Sequence, residues 1–389
     1  MIRETYVQDE SFGHPVRRSL PQVGRIAVVS WTGNIGGAEV FSTRLSKALQ
    51  KLGANVGVLF IGRSGELGDY LDASAVPFQV MGLNRGSEIV RRSRSFADAV
   101  TRCGADTAIL PSCGYMAAVL RAGGYRGTII GVEHGSLLHE GQMSVASRLR
   151  ESLSRIVGAH AADGLVCVSE YVRDVAMIHS HPPLMQAIYN GVDIDEFFPR
   201  REAPPRGAVL EVGAAGRLVG GKGFEVLIKA LAHTDSCCPM RLRIAGDGPE
   251  RQALEMLAQG HDSVDVEFMG HVPHMPEFWR NCHVAVVPSH GVQEAFGMVA
   301  IEAMASGLPV IASNNGGLPE VVEHGRSGLV VSPGSVEELS AALASYALDE
   351  ELRSAHGIGA LSRVQLQFSI GDCARKYIEF AGRLKQADS

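Results

Sequence analysis

The chain has 389 residues, too many for one ordinary hydrophobic core and enough for two domains of about 150 to 200 residues each. Its 46% apolar and 20% charged content is that of a soluble globular protein, and no run of 18 apolar residues offers a membrane span. A net charge of −6 argues against nucleic acid as a partner, because such a partner needs a basic surface.

Residues 1–24 are polar, contain Gly and Pro, lack an apolar core of signal-peptide length, and read as a flexible N-terminal arm. Seven cysteines without a C-x-x-C fit reduced thiols, and the location expected is cytoplasmic. RIAVVS (25–30) predicts a buried strand, followed by the Gly-rich turn WTGNIGGAE, the helix EVFSTRLSKALQKLG and the strand NVGVLFIG (55–62). This opening is a βαβ unit of a parallel sheet. The turn reads Gly33-x-x-Gly36-Gly37 rather than G-x-G-x-x-G, and Gly62-Arg63 stand where a dinucleotide-binding fold has an acidic residue. NAD is therefore not expected. Gly36 and Gly37 are either a tight turn or bare backbone that lets a phosphate or sugar come close.

The alternation continues through FQVMGL, a helix from about Ser87 to Cys103, TAILPS, the helix YMAAVLRAGG and TIIGVEHG. Arg91, Arg92 and Arg94 on the first of these helices, and Arg148, Arg150 and Arg155 later, form basic groups that can touch an anionic membrane. Solvated charge is the default for such residues, so membrane contact is not indicated. His134 ends the strand TIIGV, where open α/β sheets bind ligands. By spacing alone a lone histidine there is more often structural. GLVCVSEYVRDVA (164–176) is a strand entering a helix with Ser169 as its N-cap, and REAPPRG (201–207) is a loop.

In the second half, Arg217 and Lys222 flank Leu218-Val219-Gly220-Gly221 just before a helix starting near Phe224. Two cations on a Gly-containing loop beside a helix start suit a diphosphate. RLRIAGDGPE (241–250) is a strand and turn, while His271 and His274 are poorly spaced for zinc. The stretch from Gln293 to Val331 holds the densest pattern: Glu294, a helix beginning near Gly297, Glu302 on that helix, and the return strand PVIAS (309–313). Unpaired amides at a helix start attract phosphate, and two carboxylates beside it suit hydroxyl groups, so the combination describes a nucleotide sugar. SVEELSAALASYAL and IGDCARKYIEFAGRLKQ are amphipathic helices.

Glu294-x7-Glu302, followed by A-M-A-x-G-x-P-V-I-A and G-G-L-P-E, resembles the donor-site signature of the retaining family-4 glycosyltransferases of GT-B fold. G-G-A-E at residues 36–39, E-H-G at 133–135, N-G-V-D at 190–193 and G-R-L-x-x-x-K-G at 216–223 fall in the same order. The resemblance implies two Rossmann-like α/β domains facing across a cleft, with residues 25–190 on the acceptor side and 191–369 binding the donor. Residues 370–389 would cross back to the first domain. It also implies that Asp193-Ile194-Asp195 is linker, not a metal site, and that no metal or other cofactor is needed.

By the same resemblance His134 contacts the transferred sugar or acceptor, and Arg217 and Lys222 hold the diphosphate beside Gly216. Val272 lies at the base, Glu294 at the sugar and Glu302 at the ribose. Gly36, Gly37, Phe296, Gly297, Met298, Val299, Gly316 and Gly317 line the donor. Transfer with retention, in which the leaving phosphate takes the acceptor's proton, is inherited from the family. The expected partners are a nucleotide-sugar donor, UDP-linked by default and carrying glucose, N-acetylglucosamine or mannose, and a polyol, natural-product or glycan hydroxyl acceptor. The chain would be a monomer or homodimer. Competing readings are a nucleotide-sugar epimerase of the same fold, a phosphorylase with a lysine-bound cofactor, and a non-catalytic nucleotide-sugar sensor or partner subunit.

Overall fold

A computed structural model describes residues 6–8, 15–17, 24–33, 37–103, 105–110, 115–135, 153–154, 156–158, 160–179, 184–197, 209–235, 238–261, 264–291 and 293–387. Gly36, Arg148, Arg150, Arg155 and the loop 201–207 lie outside the described residues. Within the arm, β1 (Tyr6–Gln8) and β2 (Pro15–Arg17) pair antiparallel.

The first domain is a seven-stranded parallel sheet in the order β5-β4-β3-β6-β7-β8-β9. Its strands are β3 (Arg25–Ser30), β4 (Asn55–Phe60), β5 (Phe78–Val80), β6 (Thr107–Leu110), β7 (Thr128–Glu133), β8 (Gly164–Cys167) and β9 (Met185–Ala187). The second is a six-stranded sheet, β12-β11-β10-β13-β14-β15, formed by Leu210–Ala215, Met240–Ala245, Asp265–Gly270, Val284–Val287, Val310–Ser313 and Gly328–Val331 as β10 to β15. Strands such as Val284–Val287 and Val310–Ser313 are buried throughout, which is why they read as continuous apolar runs. This is the facing pair of Rossmann-like sheets that the motifs led us to expect. In each sheet the strand order reverses once, between β3 and β6 and between β10 and β13. Loops leaving the carboxyl ends of strands at such a reversal are where open α/β sheets take ligands. The sequence-derived candidates sit there: Gly37 after β3, Arg217 and Lys222 after β10, Glu294 after β13.

Two helical details differ from expectation. The segment 87–103 is two helices, α3 (Gly86–Arg91) and α4 (Ser93–Arg102), separated by Arg92, whose φ of −110° and ψ of 32° leave the helical region. Its arginines 91, 92 and 94 are all exposed. An 18-residue helix, Glu350–Gln367, stands between the two C-terminal helices foreseen, Val336–Leu348 and Ile370–Ala387. Its Gly357 and Gly359 lower helix propensity, but a Cβ at either would lie 2.4 Å from the Gly307 oxygen or 2.0 Å from the Arg326 oxygen. These glycines therefore let the helix lie directly on neighbouring backbone.

The chain crosses back at Ile370, whose N–H donates to the Val192 oxygen at 2.9 Å while Val192 N–H donates to Phe368. Helix Ile370–Ala387 then packs on α1 (Gly37–Lys51) and β7 of the first domain. Its Phe380 is fully buried over Gly164, where a Cβ would be 2.8 Å from the ring, and Lys385 pairs with Asp106 at 2.7 Å. One apolar cluster runs continuously from the first sheet through this helix into Phe296, Ile301 and Leu318 of the second domain.

Candidate active site

The donor-side site is assembled from three loops. Gly223, with φ of +80°, caps helix Phe224–Ala232, and a Cβ there would lie 2.0 Å from the Pro288 oxygen, so only glycine lets the Lys222 loop meet the end of β13. The N–H groups of His290 and Gly291 both donate to the Gly221 oxygen, at 2.9 and 3.0 Å, and His290 Nε2 contacts Glu225 Oε1 at 2.5 Å. The unusual S-H-G-V-Q-E spacing before Glu294 is thereby folded onto the Lys222 loop. As a result Lys222 Nζ reaches Glu294 Oε1 at 2.6 Å, and the Ser289 hydroxyl donates to the same oxygen at 2.6 Å. Ser289 is held in turn by Asn315, whose amide donates to the Ser289 main-chain oxygen at 3.0 Å. Arg217 is exposed, and Gly216 donates its amide to the Ala245 oxygen at 2.9 Å.

Helix Met298–Ala305 begins at Gly297, which has φ of +114°. Its first internal bonds run from Ala300 and Ile301 to the Gly297 oxygen, and neither Met298 nor Val299 N–H has a partner among the described residues. Two amides and the positive end of the helix dipole therefore stand four and five residues after Glu294, the partner of Lys222. Val272, half-buried, follows the edge strand β12.

Several expected contacts are engaged elsewhere. The Phe296 ring is 2% exposed and sits in an aromatic cluster, stacked on Tyr189 at 5.8 Å and edge-on to Phe368 at 5.6 Å, so it is not a lining ring. Gly317 N–H donates to the Glu294 oxygen at 2.8 Å, which removes that amide from ligand binding. Gly316 and Gly317 instead lie under the Glu294 loop: a Cβ at Gly316 would be 2.0 Å from the Glu294 oxygen, and one at Gly317 2.6 Å from the Ala295 oxygen. Glu302 is engaged through one oxygen only, its Oε1 accepting from Arg44 Nη1 of α1 at 3.0 Å.

On the first-domain side, His134 follows β7 and meets Phe41 edge-on at 5.7 Å. Phe41 is one helical turn beyond Gly37, so the histidine and the helix start share one wall. Among the described residues nothing outside its own helix and chain neighbours lies within 4 Å of a Cβ at Gly37, which leaves its backbone bare. Burial lowers the His134 pKa to about 4, so its imidazole is neutral near pH 7 and offers one donor and one acceptor.

The two walls are joined through helix Glu170–His179. The Ser169 hydroxyl caps it by accepting from Val172 N–H at 3.1 Å, and donates to the Ala295 oxygen at 2.6 Å. Glu320 of G-G-L-P-E receives the remaining first amides, from Glu170 at 2.8 Å and Tyr171 at 2.6 Å. Glu320 and Arg44 are the site residues that sequence reasoning missed. The final residue of the quoted G-G-L-P-E pattern was a signal for the first. For the second the only signal was a charge placed between the buried positions Thr43 and Leu45 of a helix.

Two Rossmann-like sheets, the second carrying a cationic loop, a helix start with unpartnered amides and a carboxylate, have the architecture of a GT-B glycosyltransferase. The comparisons agree. Residues 35–196 match glycosyltransferase family 4, and residues 200–361 match the family described as glycosyl transferases group 1. A GDP-mannose-dependent α-(1-6)-phosphatidylinositol monomannoside mannosyltransferase of Mycobacterium tuberculosis is 32% identical over 65% of this chain and 69% of its own length. An exopolysaccharide phosphotransferase of Streptomyces coelicolor is 34% identical over 52% of this chain, but the match spans only 21% of that protein. In fold, the chain is similar to Anabaena HepE, solved with UDP and glucose, with a TM-score of 0.74, 21% identity, and coverage of 91% of this chain and 98% of that one. The chain belongs to the family-4, group 1 glycosyltransferases.

No helix among the described residues is long and apolar enough to cross a membrane.

Proposed function

We propose that the protein is a retaining, metal-independent hexosyltransferase that moves a hexose from a UDP-linked donor to a hydroxyl of a small polyol, natural-product or glycan acceptor. The observation that carries this reading is the contact of Lys222 with Glu294, four residues ahead of a helix start whose Met298 and Val299 amides have no partner among the described residues. Breaking the bond between the anomeric carbon and the diphosphate leaves negative charge on phosphate and positive character on the sugar. Lys222, Arg217 and the two amides stabilise the first, replacing a metal ion in that role. Glu294 accepts from sugar hydroxyls and fixes their orientation. His134, neutral, holds a sugar or acceptor hydroxyl from the facing wall. The acceptor oxygen forms its bond on the face the diphosphate leaves, and the departing phosphate oxygen takes the acceptor's proton. Chelators are expected to leave turnover unchanged.

The Anabaena neighbour was solved with UDP and glucose, which supports the uridine donor. A GDP-linked mannose donor is the second reading, supported by the GDP-mannose dependence of the Mycobacterium relative. A melting-temperature panel with UDP, GDP, ADP and their common sugar conjugates separates them, because a ligand of the native state raises the transition with concentration. A shift with UDP compounds alone supports the proposal. A shift with GDP compounds alone moves the donor to guanosine, and none with any nucleotide sinks the donor site.

A further inference from the structure

Arg44 lies on α1, in the first domain, yet its guanidinium points at the donor helix of the second. Its Nη1 donates to Glu302 Oε1 at 3.0 Å, and the two side chains are only 13% and 12% exposed. The rest of its surroundings belong to the linker: Nη2 is 3.7 Å from Glu196 Oε2, and the guanidinium stands 5.9 Å from the Phe197 ring centroid. Glu196 is already served by Tyr70 at 3.2 Å and Lys47 at 3.4 Å, and Asp193 by Lys51 at 3.3 Å and Lys47 at 4.0 Å. Glu302 is therefore the nearest carboxylate and the principal partner of Arg44. Burial works against the Arg44 charge, but attraction to Glu302 and Glu196 outweighs it and raises the pKa.

Glu302 has one oxygen tied to Arg44, and Oε2 has no hydrogen-bond partner among the described residues. A carboxylate held by one oxygen is fixed in rotamer, which suits its other oxygen to accept from a pair of neighbouring hydroxyls. Resting on the reading of Glu302 as the ribose carboxylate, we propose that Arg44 is a positioning residue for the donor's ribose. Acting from the first domain, it sets the Glu302 carboxylate, so the ribose site is complete only while the two domains meet at this pair. Recognition of the nucleoside is thereby coupled to the seating of the first domain, although Arg44 itself touches no part of the donor.

The test compares binding of UDP and 2′,3′-dideoxy-UDP, and of the guanosine pair, to the full chain by calorimetry. The variants are R44M, R44K, E302Q and R44M/E302Q, each first checked for a native melting transition. Two hydroxyls on a charged acceptor should favour the ribonucleotide by about tenfold or more in the wild type. The ratio should fall toward one in E302Q, fall severalfold in R44M with partial recovery in R44K, and fall no further in the double variant. A role in stability alone would weaken both nucleotides equally and leave the ratio intact, which would overturn the inference. So would a ratio lost in E302Q but kept in R44M, or a tighter ribonucleotide in R44M, which would mean the pair competes with ribose. A ratio unchanged in E302Q instead removes Glu302 from the ribose and overturns the inference, while the donor reading, which rests on Lys222 and Glu294, stands.

Discussion

Lys222 and Glu294, 72 positions apart in the chain, meet at 2.6 Å. The cation proposed for the diphosphate and the carboxylate proposed for the sugar thus neutralise each other within the protein. The pair gives Glu294 and Lys222 opposite signatures. Lys222→Ala removes a charge from the phosphate and should lower turnover by about a hundredfold or more while weakening nucleoside diphosphate binding. Glu294→Gln should lower turnover by a similar factor. It also releases Lys222, so the diphosphate binds as tightly as before or tighter. Initial rates and calorimetry on both variants check this, and near-normal rates in both would remove these residues from the chemistry.

The neutral His134 gives a pH signature. Its folded-state pKa of about 4 lies below the unfolded value of about 6.5. The unfolded chain therefore binds the proton first as pH falls. The stability linked to this group is fully present above about pH 6.5 and is lost as pH falls toward 4. Denaturant titrations at pH 7 and pH 5 should show a smaller drop in His134→Gln than in the wild type. An equal drop in both would place the acid sensitivity elsewhere. If a neutral imidazole is what holds the sugar or acceptor, kcat/KM should show no acid limb from this residue near pH 6.5.

The junction at helix Glu170–His179 tests how far the walls depend on each other. Glu320 accepts two of the helix's first amides, and Ser169 both caps the third and holds the Ala295 oxygen beside Glu294. Glu320→Ala leaves two amides without a partner, at a cost of about 1–2 kcal/mol by analogy with a lost cap. Burial first, and then the nearby Glu320 carboxylate, push the Tyr189 hydroxyl up to about 12. In Glu320→Ala the tyrosine should titrate nearer its ordinary range, followed by ultraviolet difference spectra. An unchanged tyrosine titration and unchanged melting would show that the contact contributes nothing.

The βα alternation, both parallel sheets and the placing of Lys222 and Glu294 were legible because buried parallel strands and helix starts leave strong local patterns. Gly223 before Phe224 and Gly297 before Met298 mark their helix starts by sequence alone. What escaped was set by distant partners. The Phe296 ring and the Gly317 amide look available in a donor motif, but Tyr189, Phe368 and the Glu294 carbonyl occupy them. Arg44 pairs with a residue 258 positions away, and no local spacing can announce such a contact. The helix Glu350–Gln367 was hidden by two glycines whose purpose is close approach to neighbouring backbone.

Two glycines of the proposed site should respond to alanine in opposite ways. Gly316 has φ of +61°, and a Cβ there would stand 2.0 Å from the Glu294 oxygen. Gly316→Ala must pay about 1–2 kcal/mol for the left-handed backbone and must also displace the Glu294 main chain. It should lower the melting temperature and the turnover together. At Gly37 nothing among the described residues outside its own helix lies within 4 Å of the Cβ position, so Gly37→Ala should melt like the wild type. If the donor or acceptor passes close to that bare backbone, the added methyl should still cut kcat/KM by tenfold or more, since the reacting groups tolerate little misplacement. Side-by-side melting curves and initial rates decide it. A Gly37→Ala enzyme with normal kinetics would reduce that turn to a strand-to-helix connection.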